Sequence, residues 1–198
     1  MADRIATEKT TFKTVFEVGP SSMGRARSVE AGFQYAIAPA TVDFDFGEIS
    51  RAASGIPDCS TVKIIRGWGL QETAPVSVMV LSLKEAVRQA LPFPSANSAF
   101  WDKAERALTG AFVDLGRQEG THLSFHREEA DRTSYYYNLL FALQDEETGD
   151  ALHTIAFCVD VTVALGPEQA RSLTVGDTAR YTIRLNAITV RQELPSAA

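Results

Sequence analysis

The sequence predicts an α+β protein, and three observations predict it. Amphipathic helical patterns come early, long strands follow one another late, and those strands are apolar on both sides. A sheet of that kind has to be covered twice, so helices are expected on both of its faces.

In chain order, Thr10 to Val18 alternates through Phe12, Val15 and Val18 as a first strand, which Gly19-Pro20-Ser21-Ser22 ends. A short helix is expected from Arg25 to Ala38, with Val29, Phe33, Ala36 and Ile37 at helical spacing and Pro39 stopping it. Phe44, Phe46, Ile49 and Ala53 suggest a further turn or two of helix before Gly55-Ile56-Pro57, and Ser60 to Gly69 reads as a strand. Pro75 suits the first position of a helix that puts Val76, Met79, Val80, Leu83, Val87, Ala90 and Leu91 on one face. Pro92-Phe93-Pro94 breaks it. A second helix, Ser98 to Gly116, turns Phe100, Trp101, Ala104, Leu108, Ala111, Phe112 and Leu115 inward and forms a hairpin with the first.

Strands follow. His122 to Glu128 leads to a long pair, Tyr135 to Gln144 and Ala151 to Val163, joined by Asp145-Glu146-Glu147-Thr148-Gly149-Asp150, where Gly149 takes positive φ without a Cβ penalty. Tyr135, Tyr137, Leu139, Phe141 and Leu143 point one way; Tyr136, Asn138, Leu140, Ala142 and Gln144 point the other. The returning arm places Ile155, Phe157, Val159, Val161 and Val163 together. Pro167 to Leu173 is a short helical connection to a last strand, Thr178 to Glu193, with Tyr181, Ile183 and Leu185 on one side and Asn186, Ile188 and Val190 on the other. Each arm of the long pair matches the roughly 9–11 residues with which a tilted strand crosses a bilayer. That length permits a membrane role and does not establish one.

A chain of 198 residues with 45% hydrophobic and 22% charged residues is expected to form one domain, residues 1–198, with loose ends at 1–9 and 194–198. Its formal charge of −6 argues against nucleic acid and against bulk attraction to anionic membranes, so lipid attraction has to come from apolar burial. The N-terminus has no uninterrupted apolar core of a signal peptide, so release without a standard signal is expected. Cys59 and Cys158 read as separate thiols more readily than as a disulfide.

No catalytic, metal or nucleotide motif survives inspection. In a strand, His122 and His126 stand roughly 13 Å apart, too far for one ion. Arg127-Glu128-Glu129-Ala130-Asp131-Arg132 reads as a solvated loop with weak ion pairs, and Cys158 as an inert thiol in an apolar strand. Arg66-Gly67-Trp68-Gly69 lacks the Gly-Lys-Ser/Thr ending of a phosphate loop. Tyr135-Tyr136-Tyr137 has two readings: rings packed at a sheet edge, or rings placed at a lipid–water boundary.

The ordered words of the chain resemble a known family. AGFQYAIAP at Ala31–Pro39 and PVSVMV at Pro75–Val80 come first; Phe125, Arg127-Glu128, Ala130, Thr133, Tyr135 and Tyr137-Asn138 follow. Then come Leu140-Phe141-Ala142-Leu143-Gln144, Thr148-Gly149, and Glu168-Gln169, Thr174, Asp177, Ala179 and Tyr181. Together they are similar to the Cyt family of cytolytic δ-endotoxins and the volvatoxin-type fungal cytolysins, over Ala31 to Glu193. The resemblance implies a three-layer α/β/α sandwich with helix hairpins around a mostly antiparallel sheet. It implies a soluble monomer or dimer, non-enzymatic and without cofactor or metal, that binds the phospholipid membrane of a target cell, oligomerises there and permeabilises it. The inserting strands would present Tyr135, Tyr137, Leu139, Phe141, Leu143, Ile155, Phe157, Val159, Val161, Tyr181, Ile183 and Leu185 as the membrane-interacting set. The short segment before Thr10 and the Pro92-Phe93-Pro94 hinge depart from the family, which leaves activation by propeptide cleavage unimplied. The alternative is a non-lytic lipid-binding or interaction module on the same fold.

Overall fold

The alternation along the late strands is realised as one six-stranded mixed sheet with strands in the order β1-β4-β5-β6-β2 and β3 beside β4. The structure is a computed structural model that describes residues 11–34, 36, 44–91, 96–120, 122–145 and 148–195. At its centre β4 (Arg132–Gln144) pairs antiparallel with β5 (Ala151–Val163), in register from Thr133 opposite Val163 to Gln144 opposite Leu152. The turn is closed by Asp145 N–H donating to Ala151 O at 2.8 Å, and Gly149 has φ +63°. On the far side, β5 pairs along its whole length with Tyr181–Glu193 of β6 (Thr178–Glu193), and β2 (Cys59–Pro75) pairs with β6. The other flank of β4 is shared: β3 (Leu123–Glu129) runs antiparallel to its first half, and β1 (Lys13–Glu17) runs parallel to Leu139–Leu143.

Helices cover this sheet. α3 (Val76–Ala90) and α4 (Ser98–Gly110) bury Val76, Met79, Leu83, Val87, Phe100, Ala104 and Leu108 against one face. α1 (Met23–Gln34) and α2 (Phe46–Ser54) bury Val29, Phe33, Ile49 and Ala53 against Leu140, Ala156, Cys158, Ile188 and Val190 on the other. Short polar side chains begin α2 and α4: Asp45 accepts from Glu48 N–H at 3.0 Å and Asn97 from Phe100 N–H at 2.9 Å, each satisfying a helix-start donor that has no partner within the helix.

Three expectations are corrected. The strand read as Ser60–Gly69 continues to Pro75, because Leu70 to Ala74 pair residue by residue with Ile183 to Ala179. Ladder pairing overrides the weak strand preference of Gln71 and Glu72. Pro75 is therefore the extended residue that caps α3, with φ −62° and ψ 153°, and not its first helical residue. The helix read through Gly116 stops at Gly110; Asp114 sits at φ +54° and a short α5 (Leu115–Gln118) follows. This break turns Phe112 onto Tyr181, edge to face at 5.5 Å.

The first helix ends at Gln34 with Ala36 in a turn, while readings on residues 1–10, 37–39, 92–94, 146–147 and 196–198 fall outside the described residues. Helices were expected over both sheet faces, but α1 and α2 cover only part of theirs. At the end nearer Thr133, that face carries Ser134, Thr162, Thr182 and exposed arginines instead of apolar side chains.

Leu108 and Phe112 are fully buried between the hairpin and the sheet. Leu108→Ala or Phe112→Ala is expected to destabilise the protein by about 2–5 kcal/mol in denaturant melts, whereas a loss below about 1 kcal/mol would mean that the hairpin is not seated on the core.

Candidate functional site

Alternation along each strand brings the whole candidate set onto one sheet face. Across the strands, Tyr135 stands beside Val161 and Val161 beside Ile183; Tyr137 beside Val159 and Val159 beside Leu185. Leu139 faces Phe157, Phe141 faces Ile155, and Tyr181 lies beside Val163. With Leu143, every one of these side chains is no more than 1% exposed, and all lie in the core under α3 and α4. Aromatic edges lock the layer: Phe141 meets Phe157 at 5.0 Å and Phe100 of α4 at 5.9 Å. Tyr135 and Tyr137 are thus neither edge rings nor exposed rings in this form. They are part of the covered face, while Tyr136 points to the opposite side and is half-buried.

Polar ties fasten the helices to that face, and they meet the helices where backbone groups need partners. The last carbonyls of a helix have no acceptor role inside it, so buried ends take donors from elsewhere. Thr189 of β6 donates its hydroxyl to Ala90 O at the end of α3, at 2.8 Å. Tyr135 donates to Ala111 O just past α4, at 2.6 Å. Tyr137 donates to Gln118 Oε1 at 2.6 Å, and Gln118 Nε2 in turn donates to Gly110 O at 2.8 Å and Val113 O at 3.0 Å. A Cβ on Gly110 would lie 3.0 Å from the Tyr137 hydroxyl, so a larger residue there would press on the tie. At the surface Lys103 of α4 reaches Glu17 of β1 at 2.5 Å. None of these helix-end contacts was read from the sequence. The only signal for them was a hydroxyl or amide placed among apolar alternation, as at Thr189.

Tyr181 differs from its neighbours. Its buried hydroxyl has no hydrogen-bond partner among the described residues, although the ring packs on Phe112.

His122 and His126 lie on opposite faces of the sheet, against Tyr137 and Tyr136, and form no metal pair. His122 is buried: its Nε2 is 2.9 Å from Gln118 Oε1 and its ring lies 4.8 Å from that of Tyr137. Burial, with a smaller contribution from Lys13, lowers its pKa to about 4. His126 lies at a bulge in β3, stacks on Tyr136 at 4.3 Å and meets Asp160 at 3.0 Å. The charged run read as a loop is instead a tight hairpin, because Arg127 to Glu129 pair with Ser134 to Arg132 and leave only Ala130-Asp131 in the turn; its ion pairs are Arg127 with Glu129 at 3.2 Å and Glu128 with Arg171 at 2.6 Å. Cys59 and Cys158 are thiols rather than a disulfide, and burial raises Cys59 to about 11. Among the described residues no helix is long and apolar enough to cross a membrane, a statement that leaves strands untouched.

A sheet with apolar strands on both faces, sandwiched by helix hairpins, is the fold of the cytolytic δ-endotoxins, and the chain belongs to the Bacillus thuringiensis toxin family, whose sequence profile matches residues 4–198. It is 32% identical over 193 residues to the Type-2Aa cytolytic delta-endotoxin of Bacillus thuringiensis subsp. kyushuensis, covering 97% of this chain and 74% of that protein. It is 31% identical over 192 residues to the Type-2Ba cytolytic delta-endotoxin of subsp. israelensis, covering 96% of this chain and 73% of that one. The activated Cyt2Ba monomer of subsp. israelensis superposes with a TM-score of 0.87 at 32% identity, over 94% of this chain and 100% of that one. A second delta-endotoxin structure gives a TM-score of 0.87 at 33% identity, over 94% of this chain and 83% of the other.

The hydroxyls separate structural from idle contacts. Tyr135→Phe should cost about 1–3 kcal/mol, because it leaves the buried Ala111 carbonyl without its donor, while Tyr181→Phe should change stability by less than about 0.5 kcal/mol. Equal losses in urea melts would contradict the tie. For His122 the folded pKa lies below the unfolded value, so its contribution is unchanged above pH 6.5. As pH falls from 6.5 to about 4, the unfolded chain takes up the proton first and stability declines. His122→Gln should make that acid-side slope of the denaturation midpoint shallower.

Proposed function

We propose that this protein is a membrane-permeabilising cytolysin that binds phospholipid bilayers, assembles with copies of itself and opens the membrane with β4, β5 and β6. The single observation that carries this reading is the covered face, where the residues from Tyr135 to Leu185 named above form one continuous apolar surface beneath α3 and α4. In water that surface holds the helices by apolar burial. Against lipid it can be covered by acyl chains or by neighbouring subunits instead, and the driving force for keeping the helices falls away. The ties at Ala90, Ala111 and Gln118 then determine where the layers part. Strands that enter hydrocarbon cannot leave edges unpaired, since each open backbone group costs several kcal/mol, so insertion by strands requires a closed oligomer. The family membership supports the cytolytic part of the reading. The strand arithmetic supports the route: β4 and β5 are each 13 residues long.

A cross-link that holds α3 on β6 tests this. Ala90→Cys with Thr189→Cys joins positions whose backbone and side chain already meet at 2.8 Å. The buried Cys158, and Cys59 with its thiol raised to about 11, compete little for it. Oxidised protein is expected to leave dye-filled zwitterionic phosphatidylcholine vesicles sealed, and reduced protein to release the dye. Equal leakage in both redox states overturns layer separation. Vesicles that stay sealed with the unmodified protein overturn lysis and favour a non-lytic lipid-binding module.

A further inference from the structure

The half of the outer sheet face that α1 and α2 leave uncovered is not a bland surface. Register places Arg127 beside Ser134, Ser134 beside Thr162, Thr162 beside Thr182 and Thr182 beside Gln71, a polar row running from β3 across to β2. Ser134 and Thr162 share a hydrogen bond at 2.7 Å, which fixes the middle of the row. One step towards the strand ends, Arg132 and Arg180 flank Ala164, whose small side chain leaves the space between them open, and Ala164 N–H donates to Arg180 O at 3.0 Å. The result is a groove of about 380 Å³ lined by Arg127, Arg132, Arg180, Thr162, Thr182 and Gln71.

Its charge is out of balance. Among the described residues, Arg132 and Arg180 have no carboxylate within ion-pair distance, and Arg127 uses one guanidinium nitrogen, Nε, on Glu129 of its own strand at 3.2 Å. Asp160, one row further along, is engaged by His126 at 3.0 Å. A chain with a formal charge of −6 therefore gathers unpaired guanidinium groups at one concave place, with threonine hydroxyls and a glutamine amide between them. Guanidinium forks match the geometry of phosphate oxygens, and hydroxyl donors complete such a cradle.

We infer that this groove binds the phosphate of a phospholipid headgroup and docks the folded protein on the bilayer before the helices leave the sheet. The inference rests on the proposed membrane activity and adds its recognition step. The site lies on the face opposite the one that α3 and α4 cover, so it is open while those helices are seated. A zwitterionic headgroup offers its phosphate without a net anionic surface, so local contact operates despite the overall negative charge. Apolar burial then follows docking.

The test uses the full chain with Arg132→Gln and Arg180→Gln together, and a control with the same charge change elsewhere, Arg51→Gln with Lys63→Gln. All of these side chains are exposed, and equal denaturation midpoints verify the fold. In the first arm, inorganic phosphate should raise the melting temperature of wild type and control above that in chloride of matched ionic strength, and leave the groove variant unmoved. In the second, partitioning onto phosphatidylcholine vesicles, read by sedimentation, should fall by about tenfold or more in the groove variant alone, the scale of one or two lost charge-assisted contacts. Phosphate protection with unchanged vesicle partitioning would assign the groove to free phosphate and overturn the headgroup. Equal loss in the control would reduce the effect to net charge and overturn the site, as would no effect in either arm. Should wild type fail to partition at all, the headgroup is overturned together with the membrane reading, while the phosphate arm still decides whether the groove is an anion site.

Discussion

The constraint on which the rest depends is that β4 and β5 are apolar on both sides. Leu139, Phe141 and Phe157 face one way and Leu140, Ala156 and Cys158 the other, so water must be kept from both faces. A sheet of this kind has no stable exposed form, and helical layers are the way this chain covers it. The α3–α4 hairpin and the α1–α2 pair are consequences of that demand more than independent modules. Their own amphipathic faces have no other partner to bury against.

What covers a sheet by apolar contact is held by water, and that is a conditional attachment. Hydrophobic burial is non-directional and vanishes as a driving force where the surroundings are themselves apolar. The directional part of the attachment is small and localised. Its buried part consists of the hydroxyl groups of Thr189, Tyr135 and Tyr137 and the amide of Gln118, meeting the ends of α3, α4 and α5. A layer fastened mainly by solvent, with a few polar ties at helix ends, is what the proposed separation of helices from sheet requires. The geometry thus suits a chain that belongs to a family of cytolytic toxins.

The two faces of the sheet divide the labour. The face under α3 and α4 is largely apolar across β4, β5 and β6, with Thr189 among its few polar groups, whereas the opposite face is apolar only where α1 and α2 lie. The same alternation rule produces both, since Ser134, Thr162 and Thr182 occupy the outward positions next to inward Tyr135, Val161 and Ile183. Basic side chains gather where neither helix pair reaches, and that is the part of the sheet through which headgroup contact is proposed.

Much of this was legible along the chain because it is written with a short period. The alternation of Tyr135 to Leu143 and of Ile155 to Val163, and the helical spacing of Val76 to Ala90 and of Phe100 to Leu108, each name a buried face without reference to the rest of the molecule. Both faces of β4 were read as apolar from those positions alone, and so was the turn at Gly149. What the sequence could not decide was anything that needed two distant segments. Pairing with β6 carried β2 on to Pro75, Tyr135 meets the Ala111 carbonyl where α4 stops although its apolar pattern continues, and register across β3, β4, β5 and β6 brought Arg127, Arg132 and Arg180 to one groove. Periodicity determines which way a side chain points; only the lateral pairing of strands determines what it points beside.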